Sequence, residues 1–138
     1  MVVYKNALGV ISGCITGVVL ISAGEMCMYK LFPFPVGIDS RDAVAMGKAI
    51  ASMPSGAFIF LLAIYIVASF CGGIVSTLIT GRQKARPAFI AGIILTLAGV
   101  YNTWHLPHPL WFTLTDALVY IPAAYLGFTV SKKKTTTL

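Results

Sequence analysis

Along this chain the apolar positions fall into four long runs, and the polar positions gather in short blocks between them. The first run is the clearest: from Ala7 to Gly24 there are 18 residues without a charge, the length and character of a membrane-spanning helix. Gly56 to Gly81 makes 26 more, enough to span with tilt. A third run follows from about Pro87 to Trp104, and a fourth from about Pro109 to Val130 is interrupted by one acid, Asp116. The pattern predicts spans at about 7–30, 54–81, 87–104 and 109–130.

The breaks carry their own signals. Pro33, Pro35 and Gly37 end the first span. Asp39 or Ser40 then suits the N-cap of a short helix, with Asp42 favourable in its first turn. Met46, Ile50 and Met53 recur at i, i+4 and i+7, opposite Arg41 and Lys48. Residues 40–53 therefore read as an amphipathic helix lying at the interface or lidding the bundle. Pro54 suits the first turn of the second span. G-R-Q-K-A-R-P makes a tight turn between spans two and three, and H-L-P-H-P a tighter one between three and four. The tail S-K-K-K-T-T-T-L is polar.

Composition decides the solvent. The chain has 138 residues, 58% of them hydrophobic and 10% charged, against about 25% charged for a soluble domain. One domain of this size has too little interior to hide that much apolar surface, so its medium is lipid. The segment from Lys5 resembles a signal peptide, but its run exceeds the usual ~7–15-residue core and reads as a retained span. The net charge of +6 sits in blocks beside the spans, which argues for orientation in a membrane and against nucleic acid. Lys5, Arg82, Lys84, Arg86 and Lys132 to Lys134 fall on one side; Lys30, Arg41 and Lys48 fall on the other, among Asp39 and Asp42. The expected fold is an all-α integral membrane four-helix bundle with both termini cytoplasmic and the amphipathic helix outside. Trp104, Trp111 and Phe112 flank the outer turn as an interfacial aromatic belt. Cys14, Cys27 and Cys71 have neither CxxC nor metal spacing and read as unpaired thiols.

Small residues recur at helix-packing spacing. Gly9, Gly13 and Gly17 form one stripe on span one. Span two has Gly72 and Gly73, span three Gly92 and Gly99. Two uses stay open: packing within the bundle, or a homo-oligomer contact through span one.

Glu25 and Asp116 are the acids inside spans, where an ionised carboxylate costs a few kcal/mol. Each lies roughly 10 Å below the outer end of its helix at 1.5 Å per residue. Asn102 lies near the outer end of span three, with His105 and His108 in the turn above. These polar groups converge in depth on one outward-facing pocket. Thr113, Asp116, Tyr120, Ala123 and Gly127 share a face, which turns Asp116 into the bundle. Glu25 stands about 80° from the glycine stripe. The cluster admits three readings: hydrogen-bonded structure, an ion or proton site using the histidines, or a metal site of His and carboxylate. His105-x-x-His108 on a Pro-rich turn is weak support for the last. Met26, Cys27 and Met28 face different ways and do not make a copper site. No nucleophile elbow, phosphate loop or H-E-x-x-H occurs, and no cofactor fold is marked.

The residues resemble a family of small uncharacterised bacterial four-span integral membrane proteins. The likeness lies in Glu25 late in span one; Pro33, Pro35, Gly37 and Asp39; Pro54 and Gly56; Gly72 and Gly73; Gly81 and Arg82; Asn102; and Pro107, His108, Pro109 and Trp111. It covers most of the chain, and His105 lies outside it. The resemblance implies a four-span architecture in a bacterial inner membrane and points to the same outer cluster with Trp111 added. It implies no mechanism.

The functional expectation is a non-catalytic packing or accessory protein, in lipid and open to self-association, without a cofactor. The alternative is a protein handling small ions or protons through Glu25 and Asp116, with His108 at the mouth. A metal-dependent membrane enzyme is a distant third. A polar path between the two faces favours transport; an inner half sealed by Ile, Leu and Gly packing opposes it.

Overall fold

The structure, a computed structural model, describes residues 2–81 and 84–132. Arg82, Lys133 and Lys134, three of the basic residues used to orient the chain, lie outside the described residues. Five helices follow one another: α1 (Val2–Leu31), α2 (Ala43–Ala51), α3 (Ser55–Thr80), α4 (Arg86–His105) and α5 (Leu110–Ser131). All but α2 are long and apolar enough to cross a membrane.

The spans match the hydrophobic runs to within a residue or two except at the start. There α1 begins at Val2 rather than near Ala7. V-V-Y-K-N contains neither Gly nor Pro, so nothing stops the helix where the apolar run ends. The short helix is also corrected. It covers Ala43–Ala51, not 40–53, and its N-cap is Asp42, one Oδ1 accepting from the Val44 and Ala45 amides at 2.9 and 3.2 Å. Asp39 instead accepts from the Arg41 amide at 2.9 Å, shaping the turn before the helix. Of the expected stripe only Ile50 is buried; Met46 and Met53 are half-buried, and Gly47 and Ala49 complete the inward face. Gly47 rests on Pro107 of the α4–α5 turn, where an added Cβ would come within 2.8 Å of the ring. At Gly37 and Gly81 the backbone takes φ of 92° and 93°, the left-handed region that glycine enters without strain. Gly81 thereby ends α3, its amide bonding Thr77 O.

The four long helices run alternately up and down, so the first residues of α1 and the last of α5 share one end, and α2 and the α4–α5 turn share the other. Around the bundle the order is α1, α3, α5, α4. The α1–α3 and α3–α5 seams are the most extensive, and α1 meets α4 more sparingly.

The seams close by backbone contact. An added Cβ on Gly13 would lie 2.8 Å from the Gly72 carbonyl oxygen, and one on Gly72 would lie 2.7 Å from that of Gly13. Gly73 lies against the Ala124 carbonyl, Gly127 against that of Phe70, and Gly9 against Thr80. A Cβ added to Gly92 would lie 3.1 Å from Ala124 and Ile121, and one added to Gly17 would lie 2.8 Å from Leu95. The glycine stripe of α1 is therefore occupied within the chain, by α3 and α4. Lipid offers no hydrophobic drive between helices, so dispersion at these close approaches supplies the cohesion. Outward, Ile11, Ile15, Val19, Leu97, Leu118 and Leu126 stay exposed, a surface suited to acyl chains and too extensive for water. The chain is a multi-pass membrane helical bundle.

Toward the α2 end the filling changes from glycine to rings: Phe58, Tyr65, Phe112 and Tyr120 form the core with Met28 and Leu61. Pro122 lies inside α5 and is tolerated because neighbouring groups in a bundle can satisfy the freed backbone. Ser69 Oγ donates to the nearby Tyr120 carbonyl at 2.7 Å.

Gly13→Leu is expected to cost at least the ~1–3 kcal/mol of an overpacked core, because the obstructing atom is a backbone oxygen, and to cost more than Glu25→Gln. Ser76 Oγ is buried without a hydrogen-bond partner among the described residues. An orphaned hydroxyl costs about 1–3 kcal/mol, so Ser76→Ala should leave stability unchanged or raise it. Reversible unfolding of the purified variants in mixed micelles checks both.

Candidate functional site

Beyond Gly17 and Leu95 the helices α1 and α4 no longer touch closely, and a cleft of about 230 Å³ opens toward the α2 end. The next glycine on α1, Gly24, faces Ile64 of α3 rather than α4. On α1 the cleft is lined by Val18, Ser22, Glu25 and Tyr29, spaced i, i+4, i+7 and i+11 on one helix face. On α4 Leu95, Gly99 and Asn102 do the same, with Leu106 just past the end of the helix. Tyr65 of α3 and Tyr120 of α5 form the back wall.

Glu25 is half-buried, and Tyr65 Oη donates to its Oε1 at 3.0 Å. The Tyr65 ring stacks on Tyr120, centroids 5.8 Å apart and planes 23° apart. Tyr120 in turn leads to Asp116: a Cβ on Gly99 would lie 2.7 Å from the Tyr120 hydroxyl oxygen and 3.0 Å from Asp116 Oδ2. Gly99, expected as a packing residue, thus makes room for a tyrosine hydroxyl and a carboxylate at the cleft wall. Asp116 is 1% exposed, and its Oδ1 has no hydrogen-bond partner among the described residues. The two membrane acids are joined through two stacked tyrosines.

Of the polar cluster expected from the sequence, Glu25 and Asn102 line the cleft and Asp116 lies directly behind it. His108 and Trp111 belong to a separate aromatic group. The His108 ring stacks on Phe112 at 5.2 Å, and Phe58 meets His108 and Trp111 edge-on, each at 6.1 Å. His108 Nδ1 lies 2.7 Å from the Leu106 carbonyl and donates to it. His105 is exposed, its ring 4.2 Å from that of Tyr101 and its Nδ1 2.9 Å from the Tyr101 carbonyl. With His105 against Tyr101 and His108 against Phe58 and Phe112, neither ring hydrogen-bonds a carboxylate among the described residues. Among the described residues no three His, Cys, Asp or Glu side chains come together as metal ligands do. Cys14, Cys27 and Cys71 are free.

Tyr65 and Tyr29 are the site residues that the sequence reading passed over. For Tyr65 a signal existed: a hydroxyl in the middle of 26 uncharged residues needs a partner once buried. Nothing comparable marks Tyr29, whose role follows from where the Pro33–Gly37 turn leaves the end of α1.

Compared with protein-family models, with curated proteins and with solved structures, the chain matches none. The functional reading rests on the residues and their geometry.

His108 sits in the turn, where burial against Phe58 and Phe112 lowers its pKa from the ordinary 6.5, while the Leu106 carbonyl and the charge of Glu25 pull weakly the other way. The unfolded chain therefore holds the proton more tightly than the folded one. The bundle should keep full stability above pH 6.5 and lose part of it as the pH falls below that value. Thermal unfolding between about pH 5 and 8 should show this slope, and His108→Phe should flatten it.

Proposed function

We propose that this chain is a non-catalytic multi-pass membrane protein, with both termini cytoplasmic and α2 outside, that acts through what it binds at its outer end and conducts nothing along its axis. The observation that carries this reading is the closure of the terminal half. Gly13 against Gly72, Gly73 against Ala124 and Gly127 against Phe70 bring backbones together with no room for a file of water. Ala91 and Leu95 of α4, both buried, complete the plug. The acids are on the far side of it, and among the described residues no carboxylate or histidine lies between them and the terminal end. A proton-handling reading would need Glu25 and Asp116 to communicate with both faces, and the packing around Gly13 and Gly73 argues against that.

The reading of orientation is supported by the charges in the described part of the chain. Lys5, Lys84, Arg86 and Lys132 lie toward the terminal end, against Lys30, Arg41 and Lys48 with two acids at the other. Basic residues favour the cytoplasmic side. The resemblance of its motifs to those of small four-span bacterial membrane proteins is the support for an inner-membrane location. Lipid on the outward face of α1 is the expected surrounding; self-association through that face is compatible with it.

Two measurements test the proposal. Purified protein in liposomes should show no proton or monovalent-cation flux above empty vesicles; a flux that Asp116→Asn abolishes would restore the transport reading. In intact cells a membrane-impermeant thiol reagent should label Ser40→Cys from outside and leave Asn6→Cys unlabelled until the membrane is opened, against the background of Cys27. The reverse pattern inverts the topology.

A further inference from the structure

The α1–α4 cleft has a chemical direction. Its inner part is apolar: Val18 and Ile21 on α1 face Leu95 and Ala98 on α4. Its outer part is polar: Ser22, Glu25 and Asn102, with the hydroxyls of Tyr29, Tyr65 and Tyr120. From Val18 to Tyr29 the helix rises roughly 16 Å at 1.5 Å per residue, with Glu25 about two-thirds of the way out. Oxygen acceptors are plentiful on these walls, and no Lys, Arg or His is among the residues that line them. The negative charge that Glu25 brings has one hydrogen bond from Tyr65 and no cation beside it on the cleft wall. Behind it Asp116 adds a second carboxylate with an unused oxygen, held against Gly99 at the wall. A carboxylate in a largely apolar cleft gains from a counter-charge, and a cationic ligand can supply it.

We propose that this cleft binds a small amphipathic amine, its ammonium group at Glu25 and its alkyl chain running inward between Val18 and Leu95. A protonated primary amine offers three N–H donors to the Glu25 carboxylate, the Asn102 amide oxygen and the tyrosine hydroxyls, and the tyrosine rings add attraction for a cation. Methylene groups replace lipid or water against Val18, Ile21 and Ala98. The volume, about 230 Å³, is below the ~300 Å³ at which drug-sized pockets begin, which selects a single short chain over a bulky ring system. Glu25 lies six residues before the end of α1 at Leu31, roughly 9 Å by helical rise. An ammonium at that height is within reach from the outer end of the cleft. Two other hollows lack this pairing: the one under Phe34, Pro35, Ile38 and Met46 has no charged lining, and the one at Asn6, Lys84 and Arg86 has no acid.

The proposal stands apart from whether the bundle conducts. Its test is calorimetric titration of the full-length protein in nanodiscs with n-octylammonium, alongside n-octanol and n-octyl sulfate in the same discs. Saturable binding of the ammonium alone is expected, with affinity reduced at least tenfold in Glu25→Gln. Ala98→Phe fills the apolar part of the cleft without changing a charge, and should also abolish saturable binding. Equal binding of octanol, or undiminished binding in Glu25→Gln, overturns the role of the carboxylate. Undiminished binding in Ala98→Phe moves the ligand out of this cleft and overturns the site, and that arm decides the matter even where Glu25→Gln does not fold.

Discussion

Close approach of helix backbones is the constraint on which this structure depends. In hydrocarbon an apolar side chain gains little by leaving lipid for protein, so helices hold together where small residues let many atoms meet at van der Waals distance. Here Gly13 and Gly72 are pressed on one another's carbonyls, and Gly73 and Gly127 on those of α5 and α3. These contacts lie at one level of the bundle and tie α1 to α3 and α3 to α5. Toward the other end the same seams are filled by Phe58, Tyr65, Phe112 and Tyr120, and rings hold axes further apart than hydrogen atoms do. The cleft lies along the sparsest of the four neighbouring seams, between α1 and α4.

The gap is where the acids are accommodated. Carboxylates this far from bulk water need donors, and the bundle provides them by way of tyrosine, a side chain that is apolar along its body and polar at its tip. Tyr65 reaches Glu25 with its hydroxyl and Tyr120 with its ring. Tyr120 reaches back toward Asp116 through the space left by Gly99. The donors do not cover every acceptor among the described residues, since Asp116 Oδ1 has no partner there. Its other oxygen, Oδ2, lies against Gly99, whose helix lines the cleft.

The two loops at the broad end act together. Gly47 of α2 lies on Pro107, and His108 and Trp111 pack around Phe58 at the start of α3. The short helix, the α4–α5 turn and the beginning of α3 are thus one unit at the mouth of the cleft, which Leu106 of the turn helps to line.

The spans were legible because lipid imposes a length and a polarity on every segment that crosses it. The start of α3 at Ser55, its end at Gly81 and the breaks at Pro33 and Pro107 are local chemistry, readable one residue at a time. The depth of Glu25, Asn102 and Asp116 was readable as well, because rise per residue is constant along a helix. What depth does not contain is azimuth. Whether His108 turns toward Asp116 or onto Phe112 depends on how α5 is rotated against α3, and that rotation is set by Gly73 and Gly127 meeting α5 and α3 far from the turn. The joining of Glu25 to Tyr65, 40 residues apart, is likewise decided by the register in which Gly13 meets Gly72. Sequence alone determined that four helices are long and apolar enough to cross a membrane and at what height along its own helix each polar group stands. Only the tertiary structure decided which of them meet, because contact between helices is a matter of rotation and register that no single helix carries.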